Sequence, residues 1–280
     1  MTVTPSDIEP LGAASTFGDG RQGWLSHLGN VRNVVRQELI ARQLDRHLPA
    51  PPALILDVGA GQGTQSIRLA RAGHRVLAVE PDPGMRDAFL TWLGGEPAEV
   101  RDRVTVRAGS VGGLAAATGG EVFDAVLLLG VLMYLQASEP VIAELAAHVA
   151  PGGLLALAAR TTTSAVWRPA ARGDWRAALA AFEELDHARA EGRDVRYVNE
   201  IGAPARADDF DALRNAAASC GLVLENWYGV RIVVDMDELD PPPPSDPREL
   251  AALLDVEERL GATDPYRQLG QLAHLILRRS

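Results

Sequence analysis

Three glycines alternate with other residues directly after an apolar stretch of the chain, and an acidic residue stands just before them. These residues are Asp57, Gly59, Gly61 and Gly63, and the apolar stretch spans 53–58. Glycine lets the backbone turn sharply at a strand end and lets a ligand approach the main chain closely, because no Cβ intervenes. A dinucleotide-binding fingerprint needs glycine where Thr64 stands, and the Gly-Lys-Ser/Thr of a Walker loop is missing. The spacing therefore favours a cationic, nucleotide-like ligand without a pyrophosphate.

A second carboxylate stands where a ribose-binding residue is expected. Glu80 closes the next predicted strand, 21 positions after Gly59. A carboxylate at that place accepts hydrogen bonds from both hydroxyl groups of a ribose. In a strand–loop–helix–strand frame, the glycines and Glu80 together predict a nucleotide-type cofactor. S-adenosylmethionine (SAM) has this character, because it carries a ribose and a positively charged sulfonium.

Two further positions follow from topology, because ligands of open α/β sheets lie outside the carboxyl ends of the strands. The predicted third strand leads to Ser110 and Val111, and the fourth ends at Leu129. We expect the Ser110 side chain and the Val111 amide to bond an adenine edge. A backbone carbonyl near Leu129 is expected to meet the sulfonium or amino group. The alternative is that all three are ordinary turn and core residues.

Strands and helices alternate about five times in the segment that must position these residues. Strands are predicted at 53–58, 75–79, 103–107, 122–129 and 154–159, with helices at 64–70, 83–93 and 139–149. Such alternation implies right-handed crossovers and a mostly parallel sheet. A helix at 207–220, a strand at 222–227, a helix at 248–260 and a strand at 272–278 resume the pattern. The prediction is an α/β, Rossmann-like, doubly wound sheet of seven mostly parallel strands.

The remaining segments flank this core. Residues 1–20 are predicted to be a flexible N-terminus, and 21–280 a single domain with an N-terminal helix at 21–48 and the cofactor-binding core at 53–159. Apolar residues recur three and four apart in that helix. Residues 161–206 carry mixed charge and no clean strand, so we expect an inserted helical cap. Residues 207–280 then complete the sheet.

Composition limits the classes of partner and location. The chain has 280 residues, 47% of them hydrophobic, and a net charge of −10. That charge disfavours nonspecific binding to nucleic acid or to an anionic membrane. No apolar stretch approaches the roughly 20 residues of a membrane span, and no signal peptide is recognisable, so a cytoplasmic location is expected. The histidines are scattered and Cys220 is the single cysteine, so no metal site or internal disulfide is expected.

Four motifs in order resemble those of class I SAM-dependent methyltransferases. They are Ile55-Leu-Asp-Val-Gly-Ala-Gly-Gln-Gly63, Val79-Glu-Pro81, Phe123-Asp-Ala-Val126 and Pro151-Gly-Gly-Leu-Leu155. The resemblance covers 53–159. It implies SAM as the methyl donor, S-adenosyl-L-homocysteine as the product and an enzyme that transfers methyl groups.

A narrower similarity extends beyond this core. Val35-Arg-Gln37, Tyr228-Gly-Val-Arg231 and Asp264-Pro-Tyr266 look like segments of the bacterial tRNA 5-carboxymethoxyuridine methyltransferase family. That resemblance implies that Arg36 reaches the methionine carboxylate of SAM. It implies that the donor is lined by Gly59, Ala60, Glu80, Ser110, Val111 and the Leu129 backbone. Arginine suits a carboxylate because its planar fork binds in a two-pronged fashion, although a solvated helix face is the alternative for Arg36.

The chain departs from that family where substrate would bind. The family's histidine at the Leu129 position is absent, and 161–206 shows no close match. The main hypothesis is therefore a SAM-dependent methyltransferase that acts on a small, carboxylated or aromatic acceptor. The alternatives are a tRNA wobble-uridine carboxylate methyltransferase and a noncatalytic SAM-binding protein. A nicotinamide oxidoreductase is disfavoured by Thr64, and the oligomeric state is left open.

Residues for catalysis and acceptor binding are harder to assign from the sequence. Four histidines are candidate bases, but none pairs with a carboxylate by spacing: His27, His47, His187 and His274. Because no histidine is paired in this way, we expect an enzyme that works by positioning its substrates and not by a general base. Arg231, with Tyr228 and Tyr266 as accessory donors, is the predicted binding site for an anionic substrate. Packing or surface roles are the alternative for these three.

Overall fold

A computed structural model of the chain describes residues 29–199, 202–236 and 240–280. The strands are β1 Leu54–Val58, β2 Arg75–Glu80, β3 Val104–Ala108, β4 Phe123–Leu129, β5 Val149–Arg160, β6 Val195–Val198, β7 Pro204–Ala207, β8 Leu222–Val230 and β9 Leu272–Arg279. The helices are α1 Val31–Asp45, α2 Thr64–Arg71, α3 Pro83–Gly94, α4 Ala98–Arg101, α5 Leu114–Thr118, α6 Glu139–Ala147, α7 Thr162–Ala171, α8 Trp175–Glu191, α9 Phe210–Ser219 and α10 Pro247–Gly261.

Seven strands form the central sheet in the order β3-β2-β1-β4-β5-β9-β8. All neighbours in the sheet are parallel except at β9, which runs antiparallel to both β5 and β8. The strand order reverses between β1 and β4, which is where open sheets of this kind bind their ligands. The predicted Rossmann-like sheet of seven mostly parallel strands is confirmed.

The central strand β4 is almost continuously apolar because both of its faces are covered. Val126 and Leu128 pack into a cluster that includes residues of α6 and α9. Ala125 and Leu127 pack on the opposite face, in a cluster that includes residues of α1 and α10. The sheet is therefore sandwiched between two helical layers, and its carboxyl edge is held in a fixed place.

The N-terminal helix is shorter than its apolar pattern predicts. Helix α1 ends at Asp45, and a turn follows in which the Leu48 amide donates to the Leu44 carbonyl before Pro49. The predicted part from 21 to 28 lies outside the described residues, and so does the predicted flexible terminus. Within the described ranges, no helix combines the length and the apolarity that a membrane span needs.

The cap at 161–206 contains two helices, as expected, and also a short hairpin where the sequence shows no clean strand. Helices α7 and α8 are followed by an antiparallel hairpin in which Val195 pairs with Ala207 and Val198 with Pro204. Each strand of the hairpin has only four residues, which is too short for its alternation of apolar residues and arginine to mark a strand in the sequence. The fully buried Arg206 holds the hairpin in place, because it donates to the Leu135 carbonyl and pairs with Asp208.

Candidate functional site

A cavity of about 600 Å³ opens at the carboxyl edge of the sheet, beside the point where the strand order reverses. Its volume lies in the range of small-molecule and cofactor sites. All nine residues predicted to bind the cofactor line this cavity: Arg36, Asp57, Gly59, Ala60, Gly61, Glu80, Ser110, Val111 and Leu129. The structure thus brings together residues from α1 and from the ends of four strands, while their binding roles stay predictions.

The glycine turn between β1 and α2 is required by its surroundings. Gly59, Gly61 and Gly63 have φ values of 69°, 58° and 85°, a backbone region that other residues rarely adopt. A Cβ on Gly63 would lie 2.4 Å from the ring of Phe89, and one on Gly59 would lie 2.5 Å from a methyl group of Val131. A Cβ on Gly61 would meet nothing closer than 3.9 Å. The outer two glycines therefore permit packing, and the middle one leaves the turn open towards the cavity.

Glu80 is fixed at the tip of β2 by two backbone amides. One carboxylate oxygen accepts from the Gly61 amide at 2.8 Å, and the other accepts from the Asp82 amide at 2.9 Å. Burial raises the pKa of Glu80, and these two hydrogen bonds oppose that shift. Each oxygen has a second lone pair, so the carboxylate can still accept from a pair of neighbouring hydroxyls. The side chain is thus oriented for a diol before any ligand arrives.

Asp57 is a second buried carboxylate in the cavity wall. Burial and the charge of Glu80 raise its pKa to about 6, although a 2.6 Å hydrogen bond from the Ser66 hydroxyl opposes this shift. Two neighbouring carboxylates that are poorly solvated are stabilised in their ionised form by a cation. This part of the cavity therefore favours a positively charged ligand.

Arg36 supplies positive charge to the same cavity. Its guanidinium lies beside the end of β4, where a Cβ on Gly130 would be 3.2 Å from Nη1, and its Nη2 donates to Asn33 at 2.8 Å. Burial, together with the charge of Arg231, lowers the pKa of Arg36 to about 10. A buried arginine in a cavity wall suits a carboxylate. The cavity therefore has both an anionic and a cationic wall, as a zwitterionic cation such as SAM requires.

Several cavity residues were missed in the sequence. These are Gln37, Gln65, Asp82, Met85 and Tyr134, among others. Asp82 had a readable signal, since it precedes Pro83 at the start of a predicted helix, and it caps α3 by accepting from the Met85 amide at 2.8 Å. Tyr134 had none, because it lies in a short 3₁₀ helix after β4 that no periodicity marks.

The predicted acceptor residues do not line the cavity. The Tyr228 hydroxyl lies 2.7 Å from Nε2 of His47 and accepts from Asn226 at 3.0 Å, on the α1 face of the sheet. Tyr266 begins a 3₁₀ helix and is 48% exposed. Arg231 donates to both oxygens of Asp235, at 2.6 and 2.5 Å. Of the three, Arg231 is the one whose charge reaches the cavity, through its effect on Arg36.

The histidines considered as bases lie elsewhere too. His274 is buried in β9, where its Nδ1 lies 2.7 Å from Oε1 of Gln43 and burial lowers its pKa to about 3. His47 contacts Glu225 and Tyr228, and His187 lies on α8. Among the residues that the structure describes, no histidine lines the cavity. His27 lies outside the described residues.

Comparison with known proteins identifies the family of the chain. The methyltransferase-domain family matches residues 56–157. The ubiquinone biosynthesis O-methyltransferase of Xanthomonas axonopodis pv. citri is 34% identical over 199 residues, which are 71% of this chain and 72% of that protein. The corresponding protein of Methylocella silvestris is 29% identical over 226 residues, 72% of this chain and 85% of that protein.

A solved structure shares the fold. The magnesium protoporphyrin IX methyltransferase of Synechocystis PCC 6803, determined with bound SAH, superposes with a TM-score of 0.58 at 16% identity. The match covers 93% of this chain and 94% of that one. At this identity the likeness shows the fold alone.

Proposed function

The chain belongs to the class I SAM-dependent methyltransferases, and from that premise we propose that it methylates an oxygen atom of a small molecule. The cofactor is SAM, and the protein is an enzyme. Two relatives whose names specify O-methyl transfer support the choice of oxygen. The observation that carries the proposal is the cavity in which the glycine turn, Glu80, Asp57 and Arg36 meet.

The nine cavity residues divide the work of holding the donor. Glu80 would bind the ribose hydroxyls, and Arg36 the carboxylate of the methionine part. Gly59, Ala60 and Gly61 would let the donor lie against the backbone, while Ser110 and Val111 would border the adenine. When bound, SAM supplies a methyl group that its sulfonium charge has already activated.

The remaining task of the protein is to align an acceptor and exclude water. Leu129, the last residue of β4, and Tyr134, which follows this strand, both line the cavity. Asn199 of the cap donates to the Tyr134 hydroxyl at 3.0 Å. The cap therefore borders the side of the cavity at which β4 ends. A carboxylate acceptor is ionised at neutral pH and needs no base, whereas a hydroxyl acceptor must lose a proton.

The test is to incubate a cell extract with the protein and methyl-labelled SAM, after separating the extract into tRNA and small-molecule fractions. We expect label in a small molecule, attached to oxygen. Mild alkali then distinguishes the acceptors, because it removes the label from a methyl ester and leaves it on a methyl ether. Label on nitrogen or carbon contradicts the proposal.

The same experiment separates the alternatives. Label found only in the tRNA fraction favours the tRNA alternative, which the relatives reported above do not support. Binding of SAM without S-adenosyl-L-homocysteine production in any fraction contradicts methyl transfer. The cytoplasmic location expected from the sequence stays a prediction.

A further inference from the structure

Two glutamines from different helices share a hydrogen bond in the wall of the cofactor cavity. Gln37 on α1 and Gln65 at the start of α2 both line this cavity. The side-chain Nε2 of Gln65 donates to the Gln37 backbone carbonyl at 2.9 Å and to Oε1 of Gln37 at 2.7 Å. Neither residue belongs to the nine that were predicted to bind the cofactor.

The backbone carbonyl of Gln37 decides which way both side-chain amides are turned. A carbonyl oxygen can only accept, so the Gln65 atom that contacts it must be the nitrogen. The same nitrogen contacts the Gln37 side chain, so the contacted Gln37 atom must be the oxygen. Nε2 of Gln37 is thereby left as a hydrogen-bond donor, and it has no partner among the residues that the structure describes.

Hydrogen bonds do more than packing to keep Gln65 in this orientation. The side chain is buried, yet it also borders a second cavity of about 230 Å³ between α1 and α2. Because there is open space on two sides of it, neighbouring side chains alone do not fix its position. Without Nε2 of Gln65, the Gln37 amide could therefore turn over and present its oxygen to the cavity.

The free hydrogen-bond donor of Gln37 lies on the cationic wall of the cavity. Gln37 follows Arg36 in α1, and both share with Ile40 the face of the helix that lines the cavity. Burial and the charge of Arg231 already lower the pKa of Arg36 to about 10, so a second cation would be unfavourable here. A neutral amide adds a hydrogen-bond donor without adding charge. This wall therefore suits an anion that can accept from two side chains.

We propose that Gln37 donates to the carboxylate of the methionine part of SAM beside Arg36, and that Gln65 positions the Gln37 amide for this contact. The inference rests on the proposed function, in which Arg36 binds the same carboxylate. A carboxylate has two oxygens and about four lone-pair sites, so it can accept from both side chains. Gln37 is then a binding residue that selects methyl donors with a carboxylate, and Gln65 acts through Gln37.

Two forms of the methyl donor test this contact, because decarboxylated SAM keeps the sulfonium and the ammonium group and lacks only the carboxylate. Each is titrated into the protein in a calorimeter at constant ionic strength. Gln37→Met removes the hydrogen-bond donor at nearly constant size. We expect this variant to bind SAM about tenfold more weakly and decarboxylated SAM as before. Gln268→Met is the matched control, since Gln268 is exposed and lies outside the cavity wall.

Gln37→Glu is a second variant, which keeps the test valid if Gln37→Met fails to fold. Its carboxylate still accepts from Gln65, but it repels the carboxylate of SAM. We expect SAM to bind at least about tenfold more weakly to this variant. Decarboxylated SAM should bind to it no more weakly than to the unaltered protein.

A double-variant cycle tests the role of Gln65. Gln65→Met alone should weaken SAM binding about threefold, and it should add nothing when Gln37→Met is already present. A merely structural role would weaken binding in both backgrounds. Melting temperatures, measured alongside, separate the losses of affinity from unfolding.

Three outcomes overturn the inference. The Gln37 variants could bind SAM as tightly as Gln268→Met does, they could lose affinity equally for SAM and for decarboxylated SAM, or the losses from Gln65→Met and Gln37→Met could simply add. In all three, the unaltered protein still prefers SAM to decarboxylated SAM. An unaltered protein without that preference would count against the proposed function itself, because Arg36 would then bind no carboxylate.

Discussion

The cofactor side and the cap side of the cavity are built in different ways. On the cofactor side, two short segments within 57–65 and 80–85 supply backbone amides, glycines and the carboxylates of Asp57 and Glu80 to the wall. Beside the cavity on the cap side, arginines from α1, from α7 and from the segment after β8 gather around Asp235. A wall made by local backbone leaves a mark in the sequence, whereas a cluster of side chains from distant elements exists only after folding.

The largest loss of stability is expected where the cap contacts the segment that follows β4. Fully buried Arg206 donates to the carbonyls of Leu132 and Leu135, at 3.2 and 2.6 Å, and pairs with Asp208. Arg206→Gln leaves Asp208 buried and uncompensated, so we expect the free energy of unfolding to fall by about 3–5 kcal/mol. Urea denaturation measures it.

The control is another cap arginine, Arg193→Gln, which is exposed and pairs with Glu184. It should change the free energy of unfolding little. If Arg206→Gln kept both full stability and full methyl transfer, the cap would not be a fixed wall of the site, and the contrast between the two sides would fail.

A slightly smaller loss of stability is expected when a glycine of the turn after β1 is replaced. Gly63→Ala places a Cβ 2.4 Å from Phe89 at a φ of 85°, so both a clash and backbone strain oppose it. We expect a loss of about 2–4 kcal/mol in stability and weaker SAM binding. Thermal unfolding and SAM titration measure the two effects. Gly94→Ala, where a Cβ would meet nothing within 4 Å, should leave both nearly unchanged, and equal behaviour of the two variants would contradict a turn made by packing.

The smallest effect is a dependence of cofactor affinity on pH. Because the pKa of Asp57 is raised to about 6, this carboxyl is mainly neutral at pH 5 and ionised at pH 7.5. Ionisation strengthens the attraction for the sulfonium, so SAM should bind about tenfold more tightly at the higher pH, or roughly 1.4 kcal/mol. S-adenosyl-L-homocysteine lacks the positive charge and should show a much smaller change. Parallel slopes for the two ligands would show that Asp57 does not act on the sulfonium.

The dependence on pH has the opposite sign for folding without ligand. The pKa of Asp57 is higher in the fold than its usual value, so the folded state keeps this proton while the unfolded chain loses it. The contribution of Asp57 to stability therefore falls as the pH rises from about 4 to 6. A bound cation offsets this loss.

The cofactor side could be predicted in detail because its determinants are local. The glycine run, Glu80 at the next strand end and the alternation of strands with helices all follow from short stretches of sequence. The residues predicted from these stretches do line one cavity for that reason, whereas Arg36 and Ala60 were implied by a family resemblance. The hairpin β6–β7 escaped prediction, because it depends on Arg206 and its contacts with the segment after β4.

The acceptor side could not be predicted in the same way. Tyr228 faces α1 because of its place in β8, where it pairs with His274, and no local pattern states which face of the sheet a residue takes. Arg168 on α7 had no motif, and it meets Asp235 only through the packing of the cap. Arg231 was selected from a resemblance, and the structure places it in this group of arginines, bound to Asp235.

The most direct test of the central claim is the affinity of Glu80→Gln for SAM, measured by calorimetry with the exposed Glu99→Gln as its control. Replacing the carboxylate removes charged hydrogen bonds to the ribose, so we predict that SAM binds about ten- to a hundredfold more weakly. The melting temperature, measured alongside, separates this loss from unfolding. A folded Glu80→Gln protein that bound SAM as tightly as the Glu99→Gln control would contradict the placement of the methyl donor at the end of β2.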